Sequence, residues 1–170
     1  MAAVLLSVHV VAAVVFVGSV TVAVSLFPRY ARLALDGTTA RSAVPALQLL
    51  HRITRVYAVL ALAVPVFGLA TAAQLGVLGN AWVQVSMALT ALAGLLLAAV
   101  VLPGQRELLS RAADGSGEPP GSGAAATTRA AALDAPALVR RLGAYSGVVN
   151  LLWVVVVVLM IVRPGSTTGV

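Results

Sequence analysis

Between Arg55 and Arg106 the chain carries no charged residue. That run, Val56 to Gln105, is 50 residues long and is relieved only by the small polar patch Gln74-Leu-Gly-Val-Leu-Gly-Asn80. A soluble domain has nowhere to hide such a run, whereas a bilayer core takes up about 20 apolar residues per crossing. Two crossings joined by a tight turn account for it. Composition agrees: of 170 residues, 61% are hydrophobic and 9% charged, against about 25% charged in soluble domains. The spans leave no room for a separate soluble domain, so residues 1–170 read as a single integral membrane domain.

Four spans are expected, at about Ala2–Phe27, Thr54–Ala73, Ala81–Leu102 and Gly143–Val162. Pro28-Arg29 should end the first, Pro103-Gly104 the third and Arg163-Pro164-Gly165 the fourth. In lipid each backbone group must find its partner within its own segment, so the spans should be helices. The expected fold class is all-α, a four-transmembrane-helix bundle. The N-terminal run lacks a basic leader and is too long for a signal-peptide core, so it reads as a retained span. Ser42 and Asp134 are candidate N-caps, and Pro65 should kink the second span. Residues 112–135, with Gly, Ser and Pro concentrated in Ala112–Ala124, read as a flexible linker.

The eleven basic residues are all Arg. Ten lie in the segments joining spans one to two and three to four; only Arg163 lies on the other side. This asymmetry puts both long loops in the cytoplasm and both termini outside. Trp82 should then sit in the outer aromatic belt, and Tyr30, Tyr57 and Tyr145 in the inner one. The all-Arg, Ala- and Val-rich usage suggests a bacterial plasma membrane. Arg52, Arg55, Arg140 and Arg141 are candidate lipid-headgroup contacts, and His51 joins that interfacial cluster. The loops share a grammar, Pro45-Ala-Leu47 before Arg52 and Tyr57, and Pro136-Ala-Leu138 before Arg140 and Tyr145. That suggests two parallel helical hairpin repeats.

Helices associate in lipid through small residues that let backbones approach. At about 100° per residue, Ser7, Val11, Gly18, Thr21 and Ser25 share a face of the first span. Tyr57, Ala61, Pro65, Gly68 and Ala72 share one on the second. Gln84, Met87, Ala91, Gly94 and Ala98 do so on the third, and Gly143, Gly147, Asn150 and Val154 on the fourth. These faces are expected to meet, which makes Gly18, Gly68, Gln84, Gly94, Gly147 and Asn150 the interior polar and packing residues. The GxxxG spacing of Gly143 and Gly147 serves packing within the bundle or dimerisation equally well.

Little in the chain points to chemistry. Cys is absent, which excludes disulfides, thiolate metal sites and a Cys nucleophile. No Ser/His/Asp set, carboxylate pair or phosphate-cradling Gly loop occurs. Asp36, Glu107, Asp114, Glu118 and Asp134 fall in loops and read as solvated charge. Because no Asp, Glu, Lys or Arg lies inside a span, the usual machinery of ion-coupled transport is missing. No nucleic-acid recognition motif accompanies the basic residues. His9 is the one ionisable side chain within a span, and Met87 falls at a similar depth. A His/Met pair suits copper or haem iron; otherwise His9 is a neutral residue hydrogen-bonded within the bundle.

The stretch Val8-His9-Val-Val-Ala-Ala-Val-Val-Phe-Val-Gly18-Ser, followed by Phe27-Pro28-Arg29, resembles the first helix of a loose group of bacterial membrane proteins. That group includes the copper-resistance D-type proteins. The chain as a whole, with His51-Arg-Ile-Thr-Arg-Val-Tyr57 and Ile161-Val-Arg-Pro-Gly-Ser-Thr-Thr-Gly169, is similar to uncharacterised actinobacterial four-span proteins. The resemblance implies copper handling, carried over to His9 alone. The leading expectation is a structural or accessory membrane component without catalysis or cofactor, partnered by the bilayer and by a second copy or a larger complex. The alternatives are a copper- or haem-handling protein using His9, and a small-molecule carrier.

Overall fold

The computed structural model describes residues 1–35, 40–114 and 125–165, with the side chains of 40–41, 114 and 125–133 outside the description. Among the described residues the architecture is all-helical, an antiparallel bundle of four long helices. The first runs Ala2–Leu35. The second comprises Ala40–Leu60 and Ala63–Gln74, the third Ala81–Leu96, a π-turn Leu97–Val101 and Leu102–Asp114, and the fourth Ala125–Val162. Each is long and apolar enough to cross a membrane.

The helices outrun the expected spans. Pro28 and Pro103 do not end theirs but lie within them, Pro28 buried. A proline inside a helix leaves a carbonyl one turn back without its donor. At Pro103 the π-turn Leu97–Val101 sits where that strain must be absorbed, a usual way of fitting an irregularity into a helix. Pro65 acts as expected: the second helix is interrupted at Ala61–Leu62. The Ala61 carbonyl, which a regular helix would pair with residue 65, instead accepts from the Val64 N–H at 3.0 Å.

Ser42 and Asp134 do not begin helices, because Ala40 and Ala125 already lie in them. The 112–135 linker shrinks accordingly. Residues 112–114 and 125–135 are helical, and the central 115–124 lie outside the described residues. Alanines between 125 and 133 are strong helix formers, and that propensity outweighs the loop signal of the neighbouring Gly-Ser-Pro tract.

The hairpin turn after Gln74 uses Gly76 at φ +69°, a left-handed conformation that closes the helix end and that glycine adopts freely. The core lies towards the other, Arg-rich end. There Val24, Phe27, Ala31 and Ala34 of the first helix meet Ala43, Leu47 and Leu50 of the second. Leu97, Val101, Leu108 and Ala112 of the third, with Val139, Leu142 and Val149 of the fourth, complete it. Each helix packs on its chain neighbours, the first also packs on the fourth, and the Arg-rich half of the first reaches the third. These are the neighbour relations of an up-and-down four-helix bundle.

Towards the Gly76 end the bundle divides into pairs, first with second and third with fourth. A clasp spans the start of the third helix and the end of the fourth, where the Arg163 guanidinium lies 5.7 Å from the centre of the Trp82 ring.

Both odd-numbered helices carry a π-turn, Ala13–Val17 and Leu97–Val101. Each lies between or ends at inward residues eight apart, Ala12 and Val20 around the first, Ala93 and the turn's own last residue Val101 at the second, all buried. In a regular helix eight residues turn such a pair about 80° apart. Absorbing one extra residue leaves them within about 20°. The π-turns keep one stripe facing inward along the whole helix.

Candidate functional site

Three polar arrangements link the helices. The first is at His9, which is buried and packs against the second helix. Its Nδ1 lies 2.8 Å from the Val64 carbonyl. A carbonyl only accepts, so Nδ1 carries the proton and donates. The ring fits because residue 68 is glycine: a Cβ there would come within 2.9 Å of the imidazole Cε1. Sequence reasoning placed both residues in the bundle but did not pair them. Met87 is 43% exposed on the third helix, in the other helix pair. Among the described residues no three His, Cys, Asp or Glu side chains come together as a metal site would require.

The second joins the second and third helices near their Arg-rich ends. His51 Nδ1 lies 2.9 Å from Gln105 Oε1, Gln105 Nε2 donates to Thr54 Oγ1 at 3.3 Å, and the Thr54 hydroxyl donates to the Leu50 carbonyl at 2.9 Å. The amide oxygen is an acceptor, so His51 donates and the chain of bonds runs in one direction. Gln105 and Thr54 are fully buried. His51 is thus turned towards the third helix rather than towards lipid phosphate, whereas Arg52, Arg55, Arg140 and Arg141 are all exposed. None of this network was read from the sequence. Its signals were the stripe Ala43, Leu47, Leu50, Thr54, on a helix expected from Ser42 onward, and the stripe Gln105, Leu108, Ala112, at helical spacing within a segment read as loop.

The third is a groove between the first and fourth helices, of about 360 Å³, lined by Val24, Ser25, Pro28, Arg29, Arg32, Gly143, Ser146, Gly147 and Asn150. Asn150 Nδ2 donates to Ser25 Oγ at 2.9 Å. Its Oδ1 and the Ser146 hydroxyl are buried without a hydrogen-bond partner, a costly state for a polar group. Gly143 lies beside Pro28, where a Cβ would approach the proline ring at 3.7 Å, while Gly147 opens on free space. Asn150 and Gly147 therefore occupy one groove, as their spacing suggested, but Gly147 packs against nothing.

One of the expected interior faces points outward instead, and another does so over its N-terminal part. On the third helix Gln84, Met87, Ala91, Gly94 and Ala98 are all exposed, and Val83, Ser86, Ala93 and Leu97 face in. On the first, Ser7 and Val11 are exposed and a Cβ at Gly18 would meet nothing. Both faces of the third span are rich in small residues, so size alone does not choose between them. The phase is set further along the helix, where Gln105, Leu108 and Ala112 must turn inward away from water. The close approach of the third and fourth helices is instead at Gly104, where a Cβ would lie 3.0 Å from Leu142 Cδ1.

Glu107 and Arg111 form an exposed ion pair at 2.8 Å, and Asp134 is exposed; Asp36 and Glu118 lie outside the described residues. No family model matches the chain, and no curated protein or solved structure matches it either.

Proposed function

We propose that this chain is a multi-pass membrane protein with a structural or accessory role, a packing component for other transmembrane helices. The observation that carries this reading is the outward stripe Gln84, Met87, Ala91, Gly94 and Ala98. In lipid, small residues with an amide among them are what one helix offers another, and the chain's own bundle leaves this stripe uncovered. The distribution of Arg favours a plasma membrane of bacterial type with both termini outside.

Gly94→Leu tests it, because a Cβ at 94 has open space around it, with nothing within 4 Å, and residue 94 is exposed. Cysteine crosslinking from position 91 in native membranes should capture a second copy or a partner protein. Gly94→Leu should abolish capture while leaving the melting temperature of the detergent-purified protein unchanged. Capture that persists undiminished would sink the proposal.

A second reading, copper or haem handling, has one observation in its favour. With Nδ1–H given to a backbone carbonyl, His9 keeps Nε2 as its lone-pair nitrogen, the arrangement common in metal-ligating histidines. One imidazole nitrogen does not by itself make a site, and this reading needs a second donor, for which Met87, 43% exposed on the third helix, is the candidate. Metal analysis and an absorption spectrum of the purified protein decide this reading. Stoichiometric copper or a Soret band, lost in His9→Ala, would reverse the order of the two proposals.

A further inference from the structure

We propose that the groove between the first and fourth helices seats an anionic phospholipid of the surrounding bilayer. Its phosphate would sit at Arg29 and Arg32 and its glycerol ester at Ser146. The inference rests on the membrane reading above but not on the packing role.

Three independent features of the groove converge on that ligand. The first is charge: among the described residues two guanidiniums line it and no carboxylate does, so that lining is cationic. Arginine suits phosphate because its planar fork donates two parallel hydrogen bonds.

The second is an unmet hydrogen-bonding need. Ser146 is 3% exposed, lines the groove and has no partner for its hydroxyl. A helical serine ordinarily bonds the carbonyl one turn back, and this one does not. Its hydroxyl can donate to an ester carbonyl. Asn150 supports this, because turning its amide would let Oδ1 accept from the Ser25 hydroxyl and leave Nδ2–H facing the groove. The two orientations of an amide differ only in which atom is called nitrogen.

The third is the order of groups. From the Arg-rich end inward the groove offers Arg32, then Arg29 with Ser146, then Ser25 with Asn150, in steps of about 4.5 and 6 Å, each close to one turn. The arginine heads extend outward towards the headgroup layer. Phosphate outside and ester inside is the order a phospholipid presents on entering a membrane. The apolar sides of the groove, Val24, Pro28 and the open surface at Gly147, suit the start of an acyl chain. Its volume of about 360 Å³ falls within the range of about 300–1,000 Å³ typical of ligand sites.

The test is thermal unfolding of the full chain in a mild, uncharged detergent, with phosphatidylglycerol, phosphatidylcholine or sn-glycerol 3-phosphate titrated in. Phosphatidylglycerol should raise the midpoint saturably and the other two should not. Arg29→Gln with Arg32→Gln should weaken the apparent affinity about tenfold or more, whereas Arg106→Gln, an exposed arginine outside the groove, should leave it unchanged. Ser146→Ala separates binding from folding: it removes an unpartnered hydroxyl, so the lipid-free midpoint should hold or rise while the lipid-induced shift shrinks. An equal shift with phosphatidylcholine, an equal shift with the free phosphate ester, or an intact shift in the double Arg variant overturns the proposal. If the membrane reading itself is wrong, the protein will stay soluble without detergent and neither lipid will move the midpoint.

Discussion

The His9 ring and Gly68 form a lock whose two halves cannot be changed independently. A methyl group at 68 would fall within 2.9 Å of a ring already held by the Val64 carbonyl. Gly68→Ala should therefore cost about 1–3 kcal/mol, the usual penalty of overpacking, read as a lowered unfolding midpoint in detergent. The double variant with His9→Ala should recover much of the loss; simple additivity would refute the lock. Gln105 is the corresponding keystone between the second and third helices. Gln105→Ala strands the His51 N–H and removes the bond that the Thr54 hydroxyl accepts, while leaving that hydroxyl its Leu50 carbonyl, and should destabilise by about 1–3 kcal/mol. Thr54→Val should add little to the cost of Gln105→Leu, because apolar groups then replace both members of the Gln105–Thr54 bond and only the His51 N–H is left without its partner. These pairings were only partly legible. A histidine within a span invited the reading of a bonded interior residue, and Gly68 was placed on an inward face. Which carbonyl the ring would find depends on the break at Ala61–Leu62 and on helix rotation, which residue types alone do not determine.

At the scale of elements, four helices follow directly from the charge-free run and the other apolar stretches, and the kink follows from Pro65. What escaped was phase. Small residues line two faces of the third span, and the choice between them is made beyond the membrane-length run, by Gln105, Leu108 and Ala112. Prolines 28 and 103 and the Gly-Ser-Pro tract were read as terminators, and the helices run through the prolines because amphipathic extensions on their far side have a core to join. The π-turns belong to the same failure, since a one-residue excess shows only once the inward stripe on each side is known. They also make a distinctive prediction. Deleting Ala98, exposed within the π-turn, should leave a regular helix with Ala93 and Val101 still on one face. Deleting the equally exposed Ala91 should rotate the upstream stripe by about 100°. The first deletion should yield a folded, monodisperse protein and the second should not; equal damage from both would show that the π-turn does not set the register.

For the whole molecule, the Arg-rich end and the Gly76 turn should face opposite sides of the membrane. Single cysteines at Ser110, exposed on the third helix, and at Gly79, where a side chain meets nothing, give the assay. A membrane-impermeant maleimide added to intact cells should label Gly79→Cys, and Ser110→Cys only after lysis; the reverse pattern would invert the proposed topology. The position of the core has a further thermodynamic consequence. Ala34, Ala43, Leu47, Ala112 and Val139 are buried beyond the most apolar stretches, among exposed arginines; on the membrane reading proposed above, water rather than lipid surrounds the bundle there. Cohesion there draws on the hydrophobic effect, which carries a heat-capacity signature and weakens on cooling and in urea. Within lipid that driving force is missing and close packing and hydrogen bonds take over. One protein is thus held together by two different solvents, so mild urea should loosen its Arg-rich end while the pairs beside the Gly76 turn stay intact.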